Sequence, residues 1–162
     1  MASEIGPILE ALYGGDRDRA EQTAREKELD IFEAAALGDA VRLEELLHEE
    51  PDRARAWSPD GFTPLHYAAF FGSPEAIRVL VATGADLEAP SRNQEFAPEA
   101  HPLHSAVAAG RIDNVEALLE AGAEPNVRQH GGFTPLMEAE HSGNFDIAEL
   151  LIRHGAFAGG GA

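Results

Sequence analysis

Apolar residues recur along this chain in four similar alanine-rich stretches, each of which ends at a glycine: residues 31–38, 65–72, 103–110 and 136–143. Further apolar residues follow each glycine at offsets of five, eight and nine, as with Leu43, Leu46 and Leu47 after Gly38. Spacings of three and four residues place such side chains on one face of a helix. The pattern therefore predicts a short helix, a glycine turn and a longer amphipathic helix in each unit.

The expected helix boundaries have local causes. Thr63-Pro64 and Thr134-Pro135 place a hydroxyl group at the N-cap and a proline in the first turn, where the missing N–H has no helical partner. Ser73 can cap a longer helix in the same way. A glycine in the left-handed conformation commonly ends a helix, and three glycines lie where the longer helices should end: Gly84, Gly122 and Gly155.

The four turn glycines are separated by 34, 38 and 33 residues, and they are Gly38, Gly72, Gly110 and Gly143. Such a period predicts stacked repeats, because one helix pair cannot bury its apolar face alone. The spacing of 38 exceeds the next by five residues, which we assign to the connection 88–100. This insertion is either neutral or a functional loop.

The sequence Thr63-Pro64-Leu65-His66, followed by Ala68-Ala69 and Gly72, resembles the TPLH-x-A-A-x-x-G signature of the ankyrin repeat. Residues 84–86 resemble the family's Gly-Ala-Asp ending, and residues 101–104 and 134–137 are looser copies of TPLH. The resemblance covers about residues 29–157. It implies an all-α solenoid of helix–turn–helix units with extended, β-turn connections. It also implies that His66 and His104 hydrogen-bond the neighbouring connection.

We expect a single domain over residues 1–162 that is divided into consecutive units. In order they are a truncated helical cap at 4–28, repeat 1 at 29–60, repeat 2 with the inserted connection at 61–98, repeat 3 at 99–131, repeat 4 as the C-terminal cap at 132–157, and a flexible tail at 158–162.

By the same resemblance, partners bind the concave face, which is formed by the connection tips and the exposed sides of the first helices. The residues predicted there are Trp57, Asp60, Phe62, Phe70, Phe71, Phe96, His130, Phe133 and His141. Successive helical residues point about 100° apart, so at least one of Phe70 and Phe71 should face away from the core. Exposed aromatic residues among charges are typical of protein-binding hot spots. The alternative is that these rings pack together and stabilise the array, whereas Tyr67, Phe32 and Phe145 are predicted to be core residues.

Charge restricts the class of partner. The chain has 12 Lys and Arg against 29 Asp and Glu, a formal charge of −17. Such a field repels phosphate backbones and anionic lipids, so we expect neither nucleic-acid nor membrane binding. No apolar run approaches the roughly 18 residues of a membrane span, and no Lys or Arg precedes Arg17 to form the basic region of a secretory leader. These features favour a cytoplasmic protein.

The sequence carries no motif for catalysis or cofactor binding. It contains no cysteine, which excludes disulfides and thiolate nucleophiles, and neither a phosphate-binding glycine loop nor a nucleophile elbow is present. His101 and His104 could converge on a cation, but no third ligand is evident. We therefore predict a non-catalytic, monomeric adaptor, scaffold or inhibitor without metal or cofactor, which binds a protein with basic features. The alternatives are a self-associating structural protein and a histidine-dependent metal-binding protein.

Overall fold

The computed structural model describes residues 4–157, which form ten α-helices, two short 3-10 helices and no β-strand. The α-helices are α1 (Gly6–Tyr13), α2 (Arg17–Ala24), α3 (Ile31–Leu37), α4 (Ala40–Glu49), α5 (Pro64–Phe71), α6 (Pro74–Ala82), α7 (Pro102–Ala108), α8 (Ile112–Glu120), α9 (Pro135–His141) and α10 (Phe145–Arg153). The 3-10 helices are Pro51–Arg55 and His130–Gly132. The predicted all-α fold is confirmed. The predicted tail at 158–162 lies outside the described residues.

Corresponding helices of successive pairs stack on one another in two layers. The first helices α3, α5, α7 and α9 contact their neighbours in that order, and the second helices α4, α6, α8 and α10 do the same. The core therefore runs along the stack, with fully buried apolar residues in every repeat, such as Leu43, Ile77, Leu118 and Leu151. Within the described residues, no helix has the length and apolar content needed to cross a membrane.

Three helices, α5, α6 and α9, begin at the N-cap residues that the sequence predicts. The hydroxyl of Thr63 accepts a hydrogen bond from the backbone N–H of His66 at 3.4 Å, and that of Thr134 accepts one from Met137 at 3.2 Å. Ser73 caps α6 in the same way. Each cap satisfies an N–H that has no partner within its helix. The three predicted caps are thus confirmed.

Gly72 closes α5 for a different reason from the other turn glycines. Its φ of −91° lies outside the left-handed region, whereas Gly38, Gly110 and Gly143 have φ between +69° and +73°. A Cβ atom at position 72 would lie 2.3 Å from the carbonyl oxygen of Ala35 in the preceding repeat. The backbones of α3 and α5 therefore approach too closely here for any side chain.

Two arginines bind the carbonyl end of α5. Arg17 donates hydrogen bonds to the carbonyl oxygens of Phe71 at 2.9 Å and Leu37 at 3.2 Å. Arg111 donates to the carbonyl oxygens of Gly72 at 3.2 Å and Phe71 at 3.1 Å. The C-terminal end of a helix carries partial negative charge that attracts cations. These bonds tie the N-terminal helix pair and the turn before α8 to the second repeat.

The N-terminal pair packs mainly through α1. This helix contacts α3 and buries Ile8, Leu9, Ala11 and Leu12. In α2 only Ala20 is buried. The small side chains on this face of α2 therefore add little apolar contact.

Of the three aromatic residues predicted to lie in the core, Tyr67 is buried and Phe32 is half-buried, with its ring 5.8 Å from that of Tyr67. The prediction is wrong for Phe145, whose side chain is 72% exposed. Phe145 is the first residue of α10 and lies off the buried stripe formed by Ile147, Ala148, Leu150 and Leu151.

Candidate functional site

A cavity of about 290 Å³ lies beside α5 and α7, and we call it the aromatic pocket. Its aromatic lining consists of Tyr13, Phe62, Tyr67, Phe70, Phe71 and Phe96. Small and polar residues complete the lining, among them Ser105, Ala108, Gln129 and Glu138. The pocket thus draws on the N-terminal pair, repeat 2, the inserted connection, α7 and α9.

The six aromatic rings form a continuous chain of contacts. Centroid distances between 4.6 and 6.1 Å connect them in the order Phe70, Phe71, Tyr13, Phe96, Phe62 and Tyr67. Four of these five contacts are edge-to-face, the exception being the tilted pair of Phe62 and Phe96. Aromatic contacts of this kind contribute about 0.5–1.5 kcal/mol each beyond the burial of area. The chain therefore joins segments distant in sequence into one coherent surface.

The carboxylate of Asp60 holds the two tyrosines in place. The hydroxyl of Tyr13 donates to Oδ2 at 2.7 Å, and the hydroxyls of Tyr67 and Ser58 donate to Oδ1. Burial, together with the adjacent Asp60, raises the pKa of both phenols, so they remain neutral donors. Asp60 lies outside the lining of the pocket, where it positions the rings that form it.

The five additional residues of the second connection form one loop. In the connection before α5, the tip closes by a hydrogen bond from Ser58 N to Phe62 O at 2.8 Å, four residues apart. In the connection before α9, Gln129 N donates to Phe133 O at 3.0 Å, also four residues apart. Before α7, the corresponding bond joins Ser91 N to Ala100 O at 2.8 Å, nine residues apart. The extra residues therefore lie within 92–99.

Asn93 organises this loop. Its Oδ1 accepts hydrogen bonds from the backbone N–H groups of residues 95–97 at 2.9–3.3 Å. Its Nδ2 donates to the carbonyl oxygen of Asp60 at 3.0 Å, and Arg92 N donates to Gly61 O at 2.8 Å. These bonds fold the loop and attach it to the preceding tip, which brings Phe96 to the pocket.

Gly61 allows the two tips to meet. Its φ is +90°, and a Cβ atom at this position would lie 2.5 Å from the backbone nitrogen of Asn93. A side chain here would therefore be strained by its own conformation and would also separate the two connections.

Four of the nine predicted binding residues meet at the aromatic pocket. Phe70 and Phe96 are exposed by 36% and 61%, so the prediction that Phe70 or Phe71 faces outward is confirmed. The expectation that Phe62 and Phe71 are exposed is wrong, since they are 6% and 9% exposed. Their rings contact Phe96 from the insertion and Tyr13 from α1. An alignment of the repeats alone does not predict that Phe96 covers Phe62 or that Tyr13 covers Phe71.

The other predicted residues lie outside the pocket lining. Trp57 is half-buried, and the guanidinium carbon of Arg92 lies 3.9 Å from the centroid of its ring, so it braces the inserted loop. Phe133, His130 and His141 are exposed residues of the fourth unit and the tip before it. His130 Nδ1 lies 3.8 Å from a carboxylate oxygen of Glu99.

Glu138 contributes a carboxyl group to the pocket. Its Oε2 is buried and has no hydrogen-bond partner within the part of the chain that the structure describes. Burial raises the pKa of Glu138 to about 7. Near neutral pH this side chain is therefore divided between its neutral and charged forms.

Glu138→Gln should stabilise the protein at pH 8.5 and have little effect at pH 5. The folded-state pKa of about 7 lies above the ordinary value of 4.5, so the stability present below pH 4.5 is lost as pH rises through 7. The shift corresponds to about 3 kcal/mol, and solvent screening of this partly exposed group reduces the expected effect to roughly 1–2 kcal/mol. Urea denaturation at both pH values measures it. Glu140→Gln, an exposed neighbour on α9, controls for net charge. An equal effect of Glu138→Gln at both pH values would contradict the prediction.

The two TPLH-type histidines are structural. His66 Nε2 donates to the carbonyl oxygen of Ala100 at 2.8 Å, and His104 Nε2 donates to that of Phe133 at 3.0 Å. The predicted bonds to the neighbouring connection are thus confirmed. Burial lowers the pKa of both histidines to about 4.

The metal-binding alternative finds no support in this geometry. The Nδ1 atom of His104 accepts the backbone N–H of His101 at 3.1 Å, so both ring nitrogens of His104 are engaged. Over residues 4–157, no group of three or more His, Asp or Glu side chains is arranged to hold a metal ion.

Tyr13 and Glu138 line the aromatic pocket but were not predicted from the sequence, although the repeat register contains a signal for each. Tyr13 lies two residues before Gly15, as Phe70 lies two before Gly72. Glu138 lies five residues before its turn glycine, at the position that Glu33, Tyr67 and Ser105 occupy in the other repeats. All three of those residues are buried, so a glutamate at this position indicates an unusual carboxyl group.

Comparison with known proteins identifies the class. The family model described as ankyrin repeats (3 copies) matches residues 2–91, 31–129 and 93–159. The chain therefore belongs to the ankyrin-repeat family.

Several relatives match parts of the chain. Ankyrin repeat, SAM and basic leucine zipper domain-containing protein 1 of Ornithorhynchus anatinus is 30% identical over 139 residues, which cover 81% of this chain and 27% of that protein. The transient receptor potential cation channel subfamily A member 1 of Homo sapiens is 32% identical over 100 residues, which cover 60% of this chain and 8% of that protein. The B-cell lymphoma 3 protein homolog of Mus musculus is 32% identical over 100 residues, which cover 62% of this chain and 21% of that protein. The chain thus spans about a quarter or less of the length of these relatives.

Proposed function

We propose that this protein is a non-catalytic adaptor, scaffold or inhibitor that binds a protein partner at the aromatic pocket and its rim. Ankyrin repeats are protein–protein interaction modules, and the family is generally non-catalytic. The observation that carries the location is the exposure of Phe70 and Phe96 beside a preformed aromatic cavity.

The construction of the pocket supports a binding role. Large aromatic side chains at a partly desolvated site are typical of residues that dominate the binding energy. The inserted loop is held by hydrogen bonds of Asn93 and Arg92, and the tyrosines are held by Asp60. Such preorganisation lowers the entropic cost of ordering the surface when a partner binds.

The charge of the chain supports a partner with basic features. A formal charge of −17 attracts basic proteins over distance and repels nucleic acids and anionic membranes. We further propose that the protein acts in the cytoplasm as a monomer.

Partner capture should depend on the exposed rings of Phe70 and Phe96. Affinity purification from the native organism, with mass spectrometry, compares the wild-type chain with Phe70→Ser/Phe96→Ser. Loss of two aromatic anchors typically weakens binding by at least about tenfold, so specific partners should disappear from the double variant. Phe145→Ser is the matched control, because Phe145 is exposed on α10 away from the pocket. Thermal unfolding verifies that both variants remain folded.

Self-association through the same rings gives a different outcome. Sedimentation over a concentration series would then show an oligomer in the wild type that dissociates in Phe70→Ser/Phe96→Ser. Unchanged partner capture by the double variant, or its loss in Phe145→Ser alone, would contradict binding at the aromatic pocket.

A further inference from the structure

We propose that the aromatic pocket receives one basic side chain of the partner, arginine in preference to lysine, whose guanidinium group pairs with Glu138. This proposal rests on the proposed function above and adds the chemistry that the pocket recognises.

The first observation is a comparison of two glutamates at the same position of the repeat. Glu33 and Glu138 both lie five residues before their turn glycines. Glu33 is buried and pairs with the ammonium group of Lys27 at 2.9 Å. Glu138 Oε2 is also buried, yet it has no hydrogen-bond partner among residues 4–157. Burying an oxygen of an ionised carboxylate without a partner is costly, so a cation from another molecule that pairs with the Glu138 carboxylate would supply what Lys27 supplies in the first repeat.

The second observation is the aromatic lining. A guanidinium group is attracted to the face of an aromatic ring, and the attraction strengthens where water is excluded. The chain already contains such a contact, with Arg92 3.9 Å from the centroid of Trp57. The pocket is lined by six aromatic residues and by Glu138, whose Oε2 has no hydrogen-bond partner among residues 4–157. Aromatic faces and a carboxylate are the two groups that a guanidinium ion recognises.

Arginine fits this pocket better than lysine. An ammonium group is strongly hydrated and needs three acceptors, whereas a guanidinium group is weakly hydrated and stacks on rings. The lining is mostly aromatic and small apolar residues. Loss of hydration would therefore cost a lysine more than an arginine.

The size of the pocket fits a single side chain. Pockets for drug-sized ligands and cofactors occupy about 300–1,000 Å³, and the aromatic pocket, at about 290 Å³, lies at the lower limit of this range. The arginines of the chain nearest in sequence to its lining are engaged elsewhere. Arg17 and Arg111 bind the carbonyl end of α5, Arg128 donates to the carbonyl oxygen of Gly132, and Arg92 stacks on Trp57.

The experiment measures binding of small cations in the absence of any partner. Titrations of the wild-type chain at pH 8 with n-butylguanidinium, n-butylammonium and neutral n-butylurea are followed by amide chemical shifts. At this pH Glu138 is ionised, whereas His66 and His104, which also line the pocket, are neutral. We expect n-butylguanidinium to bind with a Kd of about 1–10 mM and to shift amides around Phe70 and Ala108.

Charge and site are tested by matched variants. Glu138→Gln should weaken n-butylguanidinium binding about tenfold, as expected for loss of a charge-assisted hydrogen bond, and Glu140→Gln should leave it unchanged. n-Butylurea should bind the wild type at least about tenfold more weakly than its charged isostere. Equal binding of n-butylurea, insensitivity to Glu138→Gln, or shifts centred away from the pocket would overturn the proposal. Binding of n-butylammonium as tight as that of n-butylguanidinium would overturn the preference for arginine.

The outcome is separable from that of the proposed function. If n-butylguanidinium does not bind but partner capture still requires Phe70 and Phe96, the pocket remains a docking surface and this assignment of its chemistry is wrong. If the cation binds at Glu138 but the Phe70→Ser/Phe96→Ser variant still captures the partner, the proposed docking surface is wrong and the cation site remains supported.

Discussion

Replacing Gly72 with alanine is expected to lower the free energy of unfolding by about 3 kcal/mol or more. The new Cβ would lie 2.3 Å from the carbonyl oxygen of Ala35 and 2.8 Å from that of Ala68. Both are backbone atoms, so no rotamer change can relieve the clash. Overpacking a core usually costs about 1–3 kcal/mol, and a clash with two backbone carbonyls belongs at or above the upper end. Relief requires α3 and α5 to separate, which loosens the stack between the first two repeats.

Urea denaturation measures this effect, and the chain offers a matched control. Gly14 has φ of −79°, and a Cβ there would meet its nearest atoms at 3.4–3.5 Å, an ordinary contact distance. Gly14→Ala should therefore change stability by less than about 1 kcal/mol, in the stabilising direction if it acts through the unfolded chain. A Gly72→Ala protein as stable as Gly14→Ala would show that the backbones do not approach as closely as described.

Acid should destabilise the protein through its two buried histidines. Burial lowers the pKa of His66 and His104 from 6.5 to about 4, so the folded state resists protonation that the unfolded state accepts. Their contribution to stability is complete above pH 6.5 and is lost progressively as pH falls to about 4. The shifts correspond to about 3 kcal/mol for each histidine. Protonation would also remove the acceptor function of Nδ1, which receives the N–H of Thr63 or His101.

The wild type and the histidine variants share all 29 carboxylates. The difference in their free energies of unfolding therefore isolates the contribution of the histidines from that of the carboxylates. His66→Gln and His104→Gln, made singly, should each be less stable than the wild type at pH 7, because each loses a bond to the neighbouring connection. The gap should narrow by about 2–3 kcal/mol at pH 4.5. His48→Gln, at an exposed position of α4, should follow the wild-type curve throughout. Parallel pH profiles for all four proteins would contradict the assignment.

Elements that depend on contacts within one repeat were predictable from the sequence. The caps at Thr63, Ser73 and Thr134 form as predicted, because a hydroxyl group and the N–H three residues on are neighbours in any helix start. The glycines that end the longer helices have φ of +100° to +104°, a conformation that their position after the apolar stripe indicates.

Burial of individual aromatic residues was less predictable. Phe62 and Phe71 occupy positions that the resemblance to the ankyrin repeat predicts to be exposed, yet both are buried. Phe145 is apolar and helical, yet it lies in the open first turn of α10. In each case the exposure of the side chain depends on whether a neighbouring element covers it. The sequence of the residue's own repeat does not predict that contact.

The sequence by itself determined that this protein is a stack of helix pairs with an acidic surface and aromatic residues near one face. Only the tertiary structure decided that Tyr13, Phe62 and Phe96 meet, and that Glu138 lines the same cavity with an Oε2 atom that has no hydrogen-bond partner among residues 4–157. The physical reason lies in the range of the interactions. Helix periodicity and capping act over a few residues, whereas the aromatic pocket joins side chains up to 125 positions apart, from Tyr13 to Glu138. Their meeting depends on the conformation of an inserted loop, which a single asparagine side chain and the close approach at Gly61 define.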